Sequence, residues 1–173
     1  MHPVIEKLKK NKIDKIKVGI FDIDGVMRGK YINMKKFSSA LENGFGFCDV
    51  VFGWDSADEL YDEPSVTGWY TGYPDTPAMI DINSYREIPW EPGTALFIAD
   101  LENTNGKPFP ACPRQLCKTI LKNAKDMGYE VKSAFEYEFF IFKETPHSVR
   151  EKNYENLTPF TPGMFGYSII RNS

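Results

Sequence analysis

Cysteine is scarce in this chain. Cys48, Cys112 and Cys117 are odd in number, none stands in C-x-x-C spacing, and only His2 and His147 are there to help them. That inventory argues against a zinc site and for reduced thiols, so a cytoplasmic setting is expected. No apolar run approaches the roughly 18 residues that a spanning helix needs, and no membrane segment is expected. An apolar h-region is missing near the N-terminus, so a signal peptide is not expected either. Positive charge is not in excess. With 21 Lys and Arg against 24 Asp and Glu, the net charge is -3, which removes the footprint of a nucleic-acid binder. The Lys-rich start, interrupted by Glu6 and Asp14, reads as a solvated first helix and not as a basic arm. Internal repeats and low-complexity segments are absent.

What remains is a chain of 173 residues with 42% hydrophobic content, enough to build the core of one domain or one and a half. One stretch stands out, Ser133-Ala134-Phe135-Glu136-Tyr137-Glu138-Phe139-Phe140-Ile141-Phe142. It is apolar and aromatic enough for a buried strand, yet it holds two carboxylates. Side chains alternate across a strand, so Glu136 and Glu138 would share one face with Cα atoms about 6.6 Å apart. Burying two ionised carboxylates is costly unless something compensates them. Two readings fit. The strand is a half-exposed edge whose Glu face is solvated, or the pair holds a hard divalent cation such as Mg²⁺ or Mn²⁺. Phe140 and Phe142 share the Glu face, which weighs against a simple wet surface.

In chain order, residues 1–14 predict a short helix or lead-in. Residues 16–23 alternate and are rich in β-branched side chains, which predicts a strand. Asp24-Gly25 is a turn signal, and residues 26–33 can return as the second strand of a hairpin. Met34, Phe37 and Leu41 recur at helical spacing, and Asn43-Gly44 closes that helix. A short strand is expected over 48–52. The connection over 53–75 is long and irregular, which marks it as a functional candidate. Strands are expected over 78–82 and 95–101, joined by a rigid turn. Asn103 to Pro108 reads as a linker. Pro113 sits where a helix N1 proline belongs, the apolar positions from Leu116 to Met127 follow at helical spacing, and Gly128 ends the helix. A short polar helix is expected over 148–156, and residues 157–173 begin irregularly.

Phe21-Asp22-Ile23-Asp24-Gly25-Val26 resembles the nucleophile motif of haloacid-dehalogenase-like phosphatases, in which the first Asp attacks phosphorus and the second acts as acid and base. The later parts of that family's pattern are missing: the strand over 95–99 ends in Asp100 and not Ser or Thr, and no late acidic pair follows. The other reading is a hairpin turn whose carboxylates accept from backbone N–H groups.

Taken together, several segments resemble the glutamine synthetase family over about residues 16–173. Asp22-Ile23-Asp24-Gly25-Val26-Met27-Arg28-Gly29-Lys30 is similar to its D-x-x-G-x-x-R-G-K segment. Asp75 and the Pro89-Trp90-Glu91-Pro92-Gly93-Thr94 turn fall where the family places similar residues. Gly106-Lys107-Pro108 and Cys112-Pro113-Arg114 resemble its domain junction, and Phe135 to Phe142 resembles its E-x-E-F-F-x-F strand.

The resemblance implies an α+β fold: a lead-in over 1–15, a β-grasp N-terminal domain over 16–103, and the start of an incomplete α/β catalytic domain over 104–173. It implies an ATP-dependent ligase joining the γ-carboxylate of glutamate to ammonia or an amine, with Mg²⁺ or Mn²⁺ neutralising phosphate charge. It implies that Glu136 and Glu138 are metal ligands, each serving a different ion. Asp55 matches by position the acidic residue of the family's F-D-G-S-S loop, which abuts the neighbouring subunit's active site in a homo-oligomer and helps deprotonate ammonium. Here the loop runs Trp54-Asp55-Ser56-Ala57-Asp58, closer to the branch whose members ligate larger amines or have lost catalysis. The family's remaining metal, glutamate and nucleotide residues find no counterpart before Ser173. The expectation is therefore a fragment that is inactive alone. A non-catalytic assembly member of the family is the alternative.

Overall fold

The computed structural model describes residues 2–103, 105–161, 163, 166 and 168. The chain divides into two compact units, Met1–Val131 and Lys132–Ser173. Among the described residues no helix is long and apolar enough to cross a membrane.

The first unit is a five-stranded mixed sheet with helices. Its strands are β1 (Lys15–Phe21), β2 (Met27–Asn33), β3 (Phe45–Cys48), β4 (Asp75–Glu87) and β5 (Thr94–Leu101), in the spatial order β2-β1-β5-β4-β3. β1 runs parallel to β5, with Lys15 opposite Thr94, and every other pairing is antiparallel. The expected hairpin forms, with Phe21 facing Met27 across the turn. Gly25 makes that turn at φ 79, a conformation that costs glycine little and other residues much.

Alternation along the two central strands builds the core. Ile16, Val18 and Ile20 of β1 are at most 1% exposed, as are Ala95, Phe97, Ala99 and Leu101 of β5. Helix α1 (Pro3–Lys10) adds Ile5 and Leu8 to the same cluster, and α2 (Met34–Asn43) adds Phe37 and Ala40. The Phe37 and Phe97 rings meet at 4.8 Å. Each fully buried Leu, Ile or Phe contributes about 1.5–3 kcal/mol of transfer free energy before entropy is counted.

Two elements differ from expectation. The strand expected over 48–52 ends at Cys48 and gives way to a 3-10 turn, Asp49–Phe52. A strand would turn Val51 and Phe52 to opposite faces, whereas the turn buries both at 3% exposure. β4 is thirteen residues long, beyond the expected 78–82 at both ends. A bulge between Asp81 and Arg86 carries it onward, and Ser84 fills the gap: its Oγ donates to the Asp81 carbonyl at 2.5 Å and accepts the Ile98 N–H at 2.8 Å.

Helix α3 (Pro113–Asp126) has the expected Pro at its first turn, and Gly128 follows its end at φ 88. Its apolar positions Leu116, Ile120 and Leu121 stay exposed, as does Met127 at its C-cap.

In the second unit the strand expected over 133–142 does not form as one. Only its end pairs: Phe142 bridges Pro159, the Lys143 N–H donates to the Thr158 carbonyl at 2.9 Å, and the Phe160 N–H donates to the Ile141 carbonyl at 2.8 Å. A strand needs a neighbour for its backbone groups, and among the described residues this unit offers one only at the last positions of the segment. Phe135, Tyr137, Phe139 and Phe140 consequently remain exposed. Helix α4 (Pro146–Glu151) starts earlier than the expected 148–156, because Thr145 and Ser148 form a reciprocal capping box. Much of the 157–173 tail lies outside the described residues.

Candidate functional site

The hairpin turn and the long connection over 53–75 are fastened together by two side chains, Arg28 and Asp24. Asp22, at the end of β1, is fully buried; its Oδ1 accepts the Val26 N–H at 2.8 Å and its Oδ2 accepts from Arg28 Nε at 2.8 Å. Arg28 reaches on to Asp58 Oδ1 at 2.5 Å and to the Asp55 carbonyl at 3.2 Å, with its guanidinium 5.2 Å from the Trp54 ring. The Asp22 bond pushes the Arg28 pKa up, against the opposing effect of burial, and Asp58 adds to the rise. Asp24 Oδ2 accepts the Ser56 N–H at 2.8 Å. Both carboxylates of the Asp22-Ile23-Asp24 segment therefore serve the backbone, and Asp22 has neither oxygen free nor a path to a phosphorus centre. This geometry is that of the turn reading and not of a nucleophile pair.

Asp55 sits half-buried at the start of the loop. Its Oδ1 accepts two backbone N–H groups, from Ala57 at 2.8 Å and Glu59 at 3.0 Å. The loop is closed by the Asp55 N–H donating to the Glu59 carbonyl at 3.0 Å and by the Trp54–Leu60 bridge. Among the described residues Oδ2 of Asp55 has no hydrogen-bond partner. Burial pushes the nearby Tyr61 phenol up, and the charges of Asp24, Asp55 and Asp22 push it further.

A second polar cluster joins α3 to the sheet, and sequence reasoning missed it. Arg114 donates to Asp100 Oδ2 at 2.5 Å and to Asp81 Oδ2 at 2.5 Å. Lys118, one helical turn on, reaches the same two atoms at 2.6 and 3.1 Å. Burial raises the Asp81 pKa, but the bonds from Arg114 and Lys118 outweigh it and the net shift is downward. The only sequence signal was a lone acid in each of two apolar strands and two cations at i, i+4 on a helix. Nothing local said that they meet.

Glu136 and Glu138 lie in the second unit, on the exposed segment that pairs only at its end. Their oxygens are the right donors for Mg²⁺ or Mn²⁺, which prefer carboxylates and keep several waters. Among the described residues, however, no group of three or more His, Cys, Asp or Glu could hold a metal ion. The donor chemistry fits; the coordination shell within these residues is partial.

Residues 110–167 match the family model described as the catalytic domain of glutamine synthetase. The chain is 42% identical over 170 residues to type-1 glutamine synthetase 2 of Dictyostelium discoideum, covering 98% of this chain and 33% of that protein. It is 33% identical to the glutamate–isopropylamine ligase of a Pseudomonas species, covering 96% of this chain and 36% of that one. The chain thus spans about a third of the length of these curated relatives. Among solved structures, a GmaS complex with ADP superposes with a TM-score of 0.58 at 19% identity, over 88% of this chain and 36% of that one, which is a likeness of fold.

Proposed function

The chain belongs to the glutamine synthetase family, and from that premise we propose that it supplies the N-terminal part of an ATP-dependent carboxylate–amine ligase. In that reaction ATP phosphorylates the γ-carboxylate of glutamate. The nitrogen of ammonia or an amine then attacks the acyl phosphate, forming the amide and releasing phosphate. The observation that most supports the reading is the state of Asp55. One of its oxygens is spent on holding the loop, and the other is left to accept an N–H of the incoming ammonium or amine. Arg28 is the positioning residue, since it holds the loop backbone at the Asp55 carbonyl.

Glu136 and Glu138 would each offer an oxygen to a divalent ion, which when bound neutralises phosphate charge. Both lie inside the stretch that matches the catalytic-domain model. The reading also takes the full-length protein to be a homo-oligomer in which the Asp55 loop faces a neighbour's active site. The free thiols of Cys48, Cys112 and Cys117 suit a reducing, cytoplasmic compartment.

The test is a chimera in which this chain replaces the matching third of the Dictyostelium relative. ATP-dependent γ-glutamyl amide formation is expected from the chimera and not from the 173-residue chain alone. Catalysis by positioning and charge neutralisation needs the whole shell, so losing one metal carboxylate in Glu136→Gln should cost at least about a hundredfold in kcat. Full activity in that variant, or activity above background from the chain by itself, would refute the assignment.

A further inference from the structure

The connection between Phe52 and β4 carries a second feature, which neither the Asp55 loop nor the metal carboxylates use. Four aromatic rings, from Tyr61, Trp69, Tyr70 and Tyr73, line a cleft of about 340 Å³. Two of them are unusually open to water, Trp69 at 81% and Tyr70 at 68% exposure. Rings of that size normally bury their faces, and an exposed cluster of them around a concavity marks a contact site. Asp62 and Glu63 line the same cleft, and among the described residues no Lys, Arg or His pairs with either.

The cleft is built, not merely open. Gly68 lets the Tyr70 ring lie over the loop backbone: a Cβ there would meet Tyr70 Cε1 at 2.9 Å and Pro64 Cγ at 3.2 Å. Thr71 Oγ1 ties the turn, accepting the Gly68 N–H at 3.1 Å and donating to the Gly68 carbonyl at 2.8 Å. Tyr73 is held at φ 47, an uncommon conformation for a residue with a side chain, and its ring meets Trp69 edge to face at 5.4 Å. Beneath the turn, the buried Thr67 donates to Asp49 at 2.6 Å. The rings are therefore largely positioned before any ligand arrives.

Ring faces are negative in their quadrupole, and the two carboxylates are negative outright. An anion is repelled by both, and a neutral apolar guest leaves the carboxylates unused. No metal-ligating group of three exists among the described residues. A positive charge carried on carbon-bearing nitrogen satisfies both surfaces at once. We propose that this cleft is a binding site for a small organic ammonium ion. The assignment rests on the rings and carboxylates alone and stands apart from the ligase reading.

The experiment titrates the ¹⁵N-labelled 173-residue chain with three probes: choline, butylammonium, and 3,3-dimethylbutan-1-ol, the uncharged isostere of choline. Choline or butylammonium should shift the Trp69 indole N–H and the amides of Tyr70 and Tyr73. The uncharged isostere should bind about tenfold more weakly, the factor that a cation–π contact of about 1.4 kcal/mol supplies. Trp69→Ala should weaken choline about tenfold, and the pair Asp62→Asn with Glu63→Gln by a similar factor. Since all three positions are exposed, the β1–β5 amides serve as the check that each variant is folded. Equal binding of the isostere, shifts centred elsewhere, binding unchanged in the variants, or no shift with either cation would each overturn the proposal.

Discussion

Two short segments of this chain share a pattern and have opposite fates. Asp22-Ile23-Asp24 and Glu136-Tyr137-Glu138 are both acid-x-acid, both follow apolar or aromatic residues, and both suggested chemistry. In the first, every carboxylate finds a partner: Asp22 takes the Val26 N–H and Arg28, and Asp24 takes the Ser56 N–H. In the second, the carboxylates stand on an exposed segment whose backbone, among the described residues, pairs only from Ile141 onward. The spacing of acids does not separate structure from function. The supply of donors around them does: a tight turn with an Arg beside it consumes carboxylates, and a segment with few neighbours among the described residues does not.

The contrast can be broken at its structural end first. Asp22→Ala removes the buried partner of Arg28, and breaking a buried pair in this way costs about 3 kcal/mol. The figure sits at the low end for such pairs because Arg28 is partly exposed and keeps Asp58. Urea denaturation of the first unit's fluorescence should show the midpoint fall with the slope unchanged.

A middle case is Glu144, an acid in the second unit that does find partners. It accepts from Lys152 at 2.6 Å, Ser148 Oγ at 2.7 Å and the Thr158 N–H at 2.8 Å. Lys152, then Ser148 and the Thr158 N–H, pull its pKa down to about 2 from an ordinary 4.5. A depressed folded-state pKa contributes stability that is fully present above the unfolded value and lost as the carboxyl protonates. The protection factors of the amides around α4, exchange rates taken relative to the intrinsic rate at each pH, should therefore be level above pH 4.5 and fall as pH falls from there toward 2. Glu144→Gln should flatten that profile; a profile identical to the parent's would show that the cluster is not formed.

The smallest effect belongs to the free pair. Glu136→Gln in the 173-residue chain should change stability by less than about 0.5 kcal/mol, as for an exposed side chain with no structural partner. A larger loss in thermal unfolding would mean that Glu136 holds structure and that the contrast with Asp22 is false.

Much of the first unit was legible because its signals are local. The Asp24-Gly25 turn, the Gly44 closure of α2 and the Pro113 start of α3 each depend on residues within one turn of themselves. What was hidden depends on residues far apart in sequence. That β1 lies beside β5, that Arg28 reaches Asp58, and that Arg114 and Lys118 meet Asp81 and Asp100 are facts of the folded chain. The strand expected around Glu136 failed for a related reason. Period-two patterning says which side chains would share a face, but not whether a neighbouring strand exists. Asp55 is singled out in the sequence by position alone, and that its Oδ1 accepts the Ala57 and Glu59 N–H groups is visible only in the loop's geometry.

The strand order has a consequence for how this sheet meets other proteins. β2 and β3 are its two edges, and an unpaired edge is a template on which foreign strands can aggregate. Neither edge invites that. β3 is only four residues long, too short to anchor an added strand. β2 is longer but carries Arg28 and Lys30, cations whose desolvation a joining strand would have to overcome. The strongly apolar strands, β1 and β5, lie in the interior of the order, so their backbone groups are paired on both sides and offer no edge to a foreign strand.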